Sequence, residues 1–306
     1  MRNHFINTLS QLIKQNKDIY LITGDLGFSV FENFIESYPD QFINVGVAEQ
    51  NMIGVASGLA KEGKIPFLYS IANFPIMRCL EQIRNDVCYH RLNVKIVSVG
   101  EGYSYGALGY THHGLEDIAV MRAMPGMKVI APGDPIETRL ATNSIAVDDG
   151  PCYLRLGKSG ETSLHKADPD FSIGEAIILR NGTDVTLIST GSILDEVVKA
   201  SGLLEQDGIS VTVASMHTLK PIDQTFIQTS MNKKLIVTVE EHSSTGGLGS
   251  AVADIVSQNN SYNATLLKIN SGESLSKEIG SQSWFRKQYG LNASSIYRIV
   301  KEKIDE

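Results

Sequence analysis

The sequence predicts an α/β chain of two domains, each built on a mainly parallel sheet flanked by helices. Its 306 residues are too many for one average domain and suit two of roughly 150, each able to bury its own core. Short β-branched apolar runs alternate with helical stretches along the chain. Those runs are continuously apolar, as strands are when helices cover both faces and crossovers join them in parallel.

The elements follow in order. MRNHFINTLSQLIKQNKD reads as an amphipathic helix without the unbroken apolar core of a signal peptide. Strands are expected at IYLITGD (19–25), FINVG (42–46), IPFLYSI (65–71), VKIVSVG (94–100), MKVIAP (127–132) and CYLRLG (152–157). Residues 1–160 make the first domain. The stretch to 174 is rich in Gly, Ser, Pro and charge, so 161–174 reads as a linker. The alternation then restarts for a second domain over 175–306. Its strands are expected at 175–180, 184–190, 210–216, 235–241 and 265–270. Helices are expected at 191–208, at 247–260 and in the closing ASSIYRIVKEKIDE.

Composition narrows the function. A formal charge of -7 with scattered Lys and Arg offers nothing to a nucleic-acid backbone. No run reaches the ~18 apolar residues of a membrane span. Cys79, Cys88 and Cys152 sit among apolar neighbours, which favours reduced, buried thiols and a cytoplasmic protein.

Four segments carry candidate chemistry. In GVAEQNMIGVASGLAKEG, Glu49 falls where a strand ends and a small-residue helix begins, the place open α/β sheets keep their ligand sites. It reads either as a site carboxylate at the rim of an apolar pocket or as a first-turn carboxylate favoured by the helix dipole. In IPFLYSIANFPIMRCLEQIRND, Phe74 offers a flat π-surface to a ring ligand, though Phe is more often core. Helical spacing puts Arg78, Gln82 and Asn85 or Asp86 on one face. The loop GEGYSYGALGYTHHGLEDIA is glycine-rich and brings neutral imidazoles for proton transfer or hydroxyl recognition. Its adjacent His112 and His113 point apart, and no Cys or carboxylate stands at metal-ligand spacing. EEHSSTGGLGSAV lacks the third glycine of a dinucleotide fingerprint and any P-loop lysine, so it reads as a structural turn. The GDG and Asn-pair motif that holds magnesium diphosphate in thiamine enzymes is not in this sequence.

INVGVAEQNMIGVASGLA, PFLYSIANFPIMRCLEQIRN, YTHHGLEDIAVMRAMPGMKVIAPGDPIET, GPCYLRLGK, MHTLKPID and VEEHSSTGGLG resemble, in order and nearly without gaps, the C-terminal half of transketolases. They are also similar to the matching part of 1-deoxyxylulose-5-phosphate synthases. That family has a diphosphate-binding, a pyrimidine-binding and a C-terminal domain, and the resemblance here covers the last two. It implies that thiamine diphosphate is shared with a separate N-terminal, diphosphate-binding subunit carrying the Mg2+. It also implies a homodimer of this chain inside a heterotetramer, acting on sugars or sugar phosphates.

The resemblance assigns roles as well. Glu49 matches the glutamate that hydrogen-bonds the pyrimidine ring nitrogen and favours the imino tautomer, which then deprotonates the thiazolium carbon. Phe74 matches the aromatic stacked on that ring, with Ile71 and Arg78 beside it and Asp25 close to the cofactor. His112 matches the histidine of a Thr-His pair that handles protons at substrate oxygens. Arg155, Arg2 and Ser29 match positions at the phosphate end of the sugar, and His113 stands where a substrate-facing glutamine is expected. Gly100 and Leu108 replace a phosphate-binding histidine and a hydroxyl-reading aspartate, which points to a substrate other than the ordinary phosphoketose. Competing readings are the β subunit of a 2-oxo acid dehydrogenase and a catalytically silent regulatory subunit.

Overall fold

A computed structural model describes residues 1–258, 264–273 and 276–306. The first half contains β1 (Ile19–Thr23), β2 (Phe42–Asn44), β3 (Ile65–Ile71), β4 (Lys95–Val99), β5 (Lys128–Ile130) and β6 (Cys152–Leu156). Its α-helices are α1 (Arg2–Gln15), α2 (Glu32–Ser37), α3 (Glu49–Lys61), α4 (Phe74–Met77), α5 (Leu80–Gln82), α6 (Asp117–Ala123) and α7 (Pro135–Val147). The second half contains β7 (Ile177–Arg180), β8 (Val185–Thr190), β9 (Val211–Ser215), β10 (Thr218–Lys220), β11 (Leu235–Glu240) and β12 (Thr265–Ile269). Its helices are α8 (Leu194–Gln206), α9 (Gln224–Ser230), α10 (Leu248–Ser257), α11 (Gln282–Gln288) and α12 (Ala293–Asp305). The expected helix at 247–260 is therefore seen as α10, and its last two residues lie outside the described residues.

These strands form two mainly parallel sheets flanked by helices. The seven-stranded sheet has the order β10-β5-β6-β4-β3-β1-β2, and the five-stranded sheet β12-β11-β8-β9-β7. Two pairings are antiparallel: β7 on β9, and β10 on β5. The short strand β10 was not among those expected, and it comes from the second half to edge the first sheet. Lys220 Nζ fastens it by donating to the Arg122 and Met124 carbonyls at 2.8 and 2.5 Å.

The apolar runs follow from burial on both faces. Leu21 of β1 packs into the core under α1 and α7, while its neighbour Ile22 packs into the core under α3 and α6. The second of these cores continues into the second domain through Ile188, Ile236, Leu248 and Val252. On α1 the buried residues Phe5, Leu9 and Ile13 recur at helical spacing and form the stripe that meets the sheet. The three cysteines are free and buried. Among the described residues no helix is long and apolar enough to cross a membrane.

The segment between β6 and β7 is held by a clamp. His165 Nε2 lies 2.9 Å from Glu137 Oε1, and Asp134, which caps α7 through the Glu137 N–H at 2.7 Å, also accepts from Leu164 and His165 N–H. Asp134, Glu137 and His165 are the one group at metal-ligand spacing among the described residues. Their oxygens are already taken by these donors and by Gly133 N and Ser215 Oγ.

The Glu137 hydrogen bond raises the His165 pKa above its ordinary 6.5. The imidazolium form is thus favoured in the fold, so its contribution is fully present below pH 6.5 and is lost as pH rises through the raised value. His165→Ala is expected to lower stability by about 1–3 kcal/mol near pH 6. The deficit should shrink toward pH 9, as read by denaturant melts across that range.

Candidate active site

Register sets the site. Thr23 is level with Asn44 and with Tyr69, and Ser70 with Ser98, so β1, β2, β3 and β4 release their chains along one carboxyl edge of the sheet. At that edge Asp25 adopts a φ of 58°. Asn44 braces it: its Oδ1 accepts from Asp25 N at 2.9 Å and Gly46 N at 3.0 Å, and its Nδ2 donates to Asp25 Oδ1 at 3.2 Å. A Cβ at Gly24 would press on the Gly46 carbonyl at 3.2 Å, so glycine lets the two loops close.

Glu49 is the first residue of α3 and only 4% exposed. The expected apolar rim is not what surrounds its carboxylate: Arg78 Nη1 donates to Oε1 at 2.9 Å. The same guanidinium lies over the Phe74 ring, its Cζ 4.4 Å from the centroid. Gln50 Nε2 holds the Arg78 carbonyl at 2.9 Å. Val47, Ala48, Glu49, Gln50, Asn51 and Arg78 line a hollow of 520 Å³. The single helix expected to align Arg78, Gln82 and Asn85 or Asp86 is instead broken into α4, α5 and a π-helical turn over Ile83–Cys88.

His112 reaches this group from the third loop. Its ring meets Phe74 edge-on, with centroids 5.2 Å apart, and Thr111 Oγ1 lies 2.9 Å from its Nδ1. Burial pushes its pKa below the ordinary value, which keeps the imidazole neutral near pH 7. Asn73, which the sequence did not single out, donates from Nδ2 to the His113 carbonyl and ties the Phe74 turn to this loop. Ile71 ends β3 just before that turn, half-buried.

The residues expected at the phosphate end are dispersed. Arg155 is 1% exposed, and its donors go to Asp117 (2.7 Å), Glu101 (3.2 Å) and the carbonyls of Gly114 (2.7 Å) and Glu241 (3.0 Å). Within this chain it is a structural cation and has no free face for a phosphate. His113 is fully buried among Tyr103, Tyr110 and Phe285 and does not reach the hollow. Ser29 is exposed at a φ of 61°, its N–H held by Glu32 at 2.6 Å. Arg2 faces the phenols of Tyr69 and Tyr105, and its Nε is buried without a hydrogen-bond partner.

Gly100 has a φ of 106°, and a Cβ there would collide with the edge of the Tyr105 ring, so that ring fills the space a larger residue would take. Leu108 is exposed. The turn at 240–249 is structural, as expected: Glu240 itself accepts from Leu248 N at 2.7 Å and Gly249 N at 2.8 Å, occupying the helix start where an anion would sit.

The structure therefore defines a two-domain α/β chain that gathers a buried carboxylate, an aromatic ring and a neutral histidine at the carboxyl edge of one parallel sheet. Residues 1–160 match the family described as transketolase, pyrimidine binding domain, and residues 174–296 the one described as transketolase, C-terminal domain. The chain belongs to the transketolase family. It is 40% identical over 307 residues to a putative transketolase C-terminal section of Methanocaldococcus jannaschii, covering 99% of this chain and 96% of that one. It is 39% identical over 261 residues to an apulose-4-phosphate transketolase subunit of Phocaeicola vulgatus, covering 84% of each. Among solved structures it superposes on a split gene transketolase, described as an inactive beta4 tetramer. That match has a TM-score of 0.88 and 35% identity and covers 98% of this chain and 96% of that one.

Proposed function

We propose that this chain is the pyrimidine-binding subunit of a split, thiamine-diphosphate-dependent transketolase that moves a two-carbon ketol unit between sugars. The observation that carries this reading is the placement of Arg78. A planar nitrogen donor lies over the Phe74 ring and bonds the buried Glu49 carboxylate, which is the contact set an aminopyrimidine ring needs. The guanidinium stands in for that ring and would swing aside when the ring enters. Glu49 would then share a proton with a ring nitrogen, Phe74 would stack on the ring face, and Ile71 and Asp25 would flank it. Bound there, the cofactor supplies the nucleophilic carbon for C–C cleavage and re-formation. His112, neutral near pH 7, accepts or donates a proton at the substrate oxygens.

The partner would be a separate N-terminal subunit holding the diphosphate and its Mg2+, in a heterotetramer with two copies of this chain. Two similar proteins are themselves named as a C-terminal section and as one subunit of a transketolase. Val47 at the hollow, Met77 at the end of α4, and Phe28, Leu108 and Tyr110 on the segments that follow β1 and β4 are exposed and leave apolar surface for such a partner to cover.

The substrate, on this reading, is not the ordinary phosphoketose. Tyr105 fills the space beside Gly100, Arg155 is committed elsewhere, and Leu108 offers a sugar hydroxyl no partner. Each missing charge-assisted hydrogen bond to phosphate forfeits about 1.5–3 kcal/mol, so turnover of xylulose 5-phosphate with ribose 5-phosphate is expected to fall roughly 10- to 200-fold below that of a deoxy or otherwise modified sugar. The test is a ketol-transfer assay on this chain reconstituted with the subunit that co-purifies with it. Efficient use of the ordinary pair would overturn the substrate reading. Decarboxylation of a 2-oxo acid without ketol transfer would overturn the transketolase reading.

A further inference from the structure

His112 lies against the first domain's Phe74, and the segment that carries it, held at its neck by Arg155, is gripped by the second domain as well. Residues 102 and 114 close the neck of the loop with N–H···O bonds of 2.9 Å in both directions. A Cβ at Gly102 would collide with the Glu241 carboxylate, so the neck is seated directly on that side chain. Tyr103 N donates to Glu241 Oε1 at 2.6 Å, and Arg286 Nε holds Oε2 at 2.6 Å. Glu101 accepts from Ser192 N at 2.8 Å, and Ser243 N donates to the Leu115 carbonyl at 2.8 Å.

Between these anchors the packing is aromatic. Tyr103 lies parallel to Phe285 of α11, with centroids 4.5 Å apart and planes 6° apart, and parallel to Tyr289 at 5.4 Å. The His113 ring stands edge-on to both Tyr103 and Phe285 at 5.1 Å. Phe285 is fully buried, and a Cβ at Gly106 would meet its ring at 2.8 Å, so the loop is moulded to it. From the α4 side the loop receives the Asn73 hydrogen bond and the Phe74 ring contact.

We propose that Phe285 is a positioning residue: α11 sets the direction in which His112 faces Phe74, acting through the His113 ring that adjoins it in the chain. This rests on the reading of His112 as the proton-handling group. His113 is thereby a lever rather than a substrate contact, and burial, which pushes its pKa down, keeps it uncharged in that aromatic cage. The second domain contributes aim to a reaction it does not touch.

The test is a double-mutant cycle in the reconstituted enzyme. Phe285→Leu keeps most of the volume but removes the flat surface that orders Tyr103 and His113. It is expected to lower kcat roughly 10- to 100-fold, the scale of small misplacements of a reacting group, with little change in KM. Hydrogen–deuterium exchange at the thiazolium carbon, which reports on Glu49, should stay at the wild-type rate. The His112 Cε1–H resonance of the full chain should move. On a His112→Ala background, Phe285→Leu should cost nothing more.

Equal cost in both backgrounds would overturn the proposal, as would exchange falling in step with turnover. If His112→Ala leaves turnover unchanged, the proton-handling role fails, and the His112 resonance then decides the positioning claim by itself: a shift upholds it and an unmoved signal overturns it. Glu241→Gln keeps an acceptor for Tyr103 N while uncoupling Arg286, and it gives the same readouts should Phe285→Leu not fold.

Discussion

Glu49→Gln is expected to lower ketol transfer by roughly 10²–10⁴, the span associated with general acid–base groups, while the chain still folds and assembles. The amide is nearly isosteric and still accepts from Arg78 Nη1. That ion pair has a half-exposed partner, so losing its charge costs little stability. What the amide cannot do is share a proton with a ring nitrogen. The direct readout is deuterium exchange at the thiazolium carbon of the bound cofactor. A wild-type exchange rate would return Glu49 to the role of a carboxylate stabilised by the start of α3.

The second large effect concerns affinity. This chain by itself is expected to bind thiamine diphosphate at least roughly 10²–10⁴ times more weakly than the pair, because two missing charge-assisted hydrogen bonds amount to that much. On the proposed reading the chain would offer the ring a face at Phe74 and a bond at Glu49, and its net charge of -7 does not attract a diphosphate. Magnesium needs a set of free oxygen ligands, whereas the oxygens of Asp134 and Glu137 already accept from N–H, hydroxyl and imidazole donors. Arg78 must also be displaced from the Phe74 face. Calorimetry with cofactor and magnesium, on the chain and on the pair, measures the difference. Tight binding by the chain alone would sink the split-enzyme reading.

How much of this was legible in the sequence depended on range. Strands such as β3 and β8 read correctly because burial on both faces forces unbroken apolar runs, a purely local signal. The strand β10 was invisible because a short segment pairing antiparallel with a partner some 90 residues earlier carries no periodicity of its own. Glu49, Phe74 and His112 were singled out, and the fold brings them together, since each marks the end of a strand or a loop of unusual composition. Arg155 and His113 were placed at the substrate because motif position says nothing of burial. Their surroundings are made by Glu241 and Phe285, far along the chain. Asn44 and Asn73 went unnoticed for the same reason: each fastens a loop 19 or 40 residues away through one amide.

The strand that edges the first sheet bears on how such a protein can change by descent. Thr218 and Lys220 pair with Ile130 and Val129, so a crossover between genes at the linker would hand down a first module missing its outermost strand. The bare β5 edge would invite pairing with other chains, and the other module would keep an arm shaped for a parent it no longer has. The first sheet is therefore complete only when both modules come from matched parents. A chimera that exchanges only one of them has to carry the 216–222 segment with the recipient of β5.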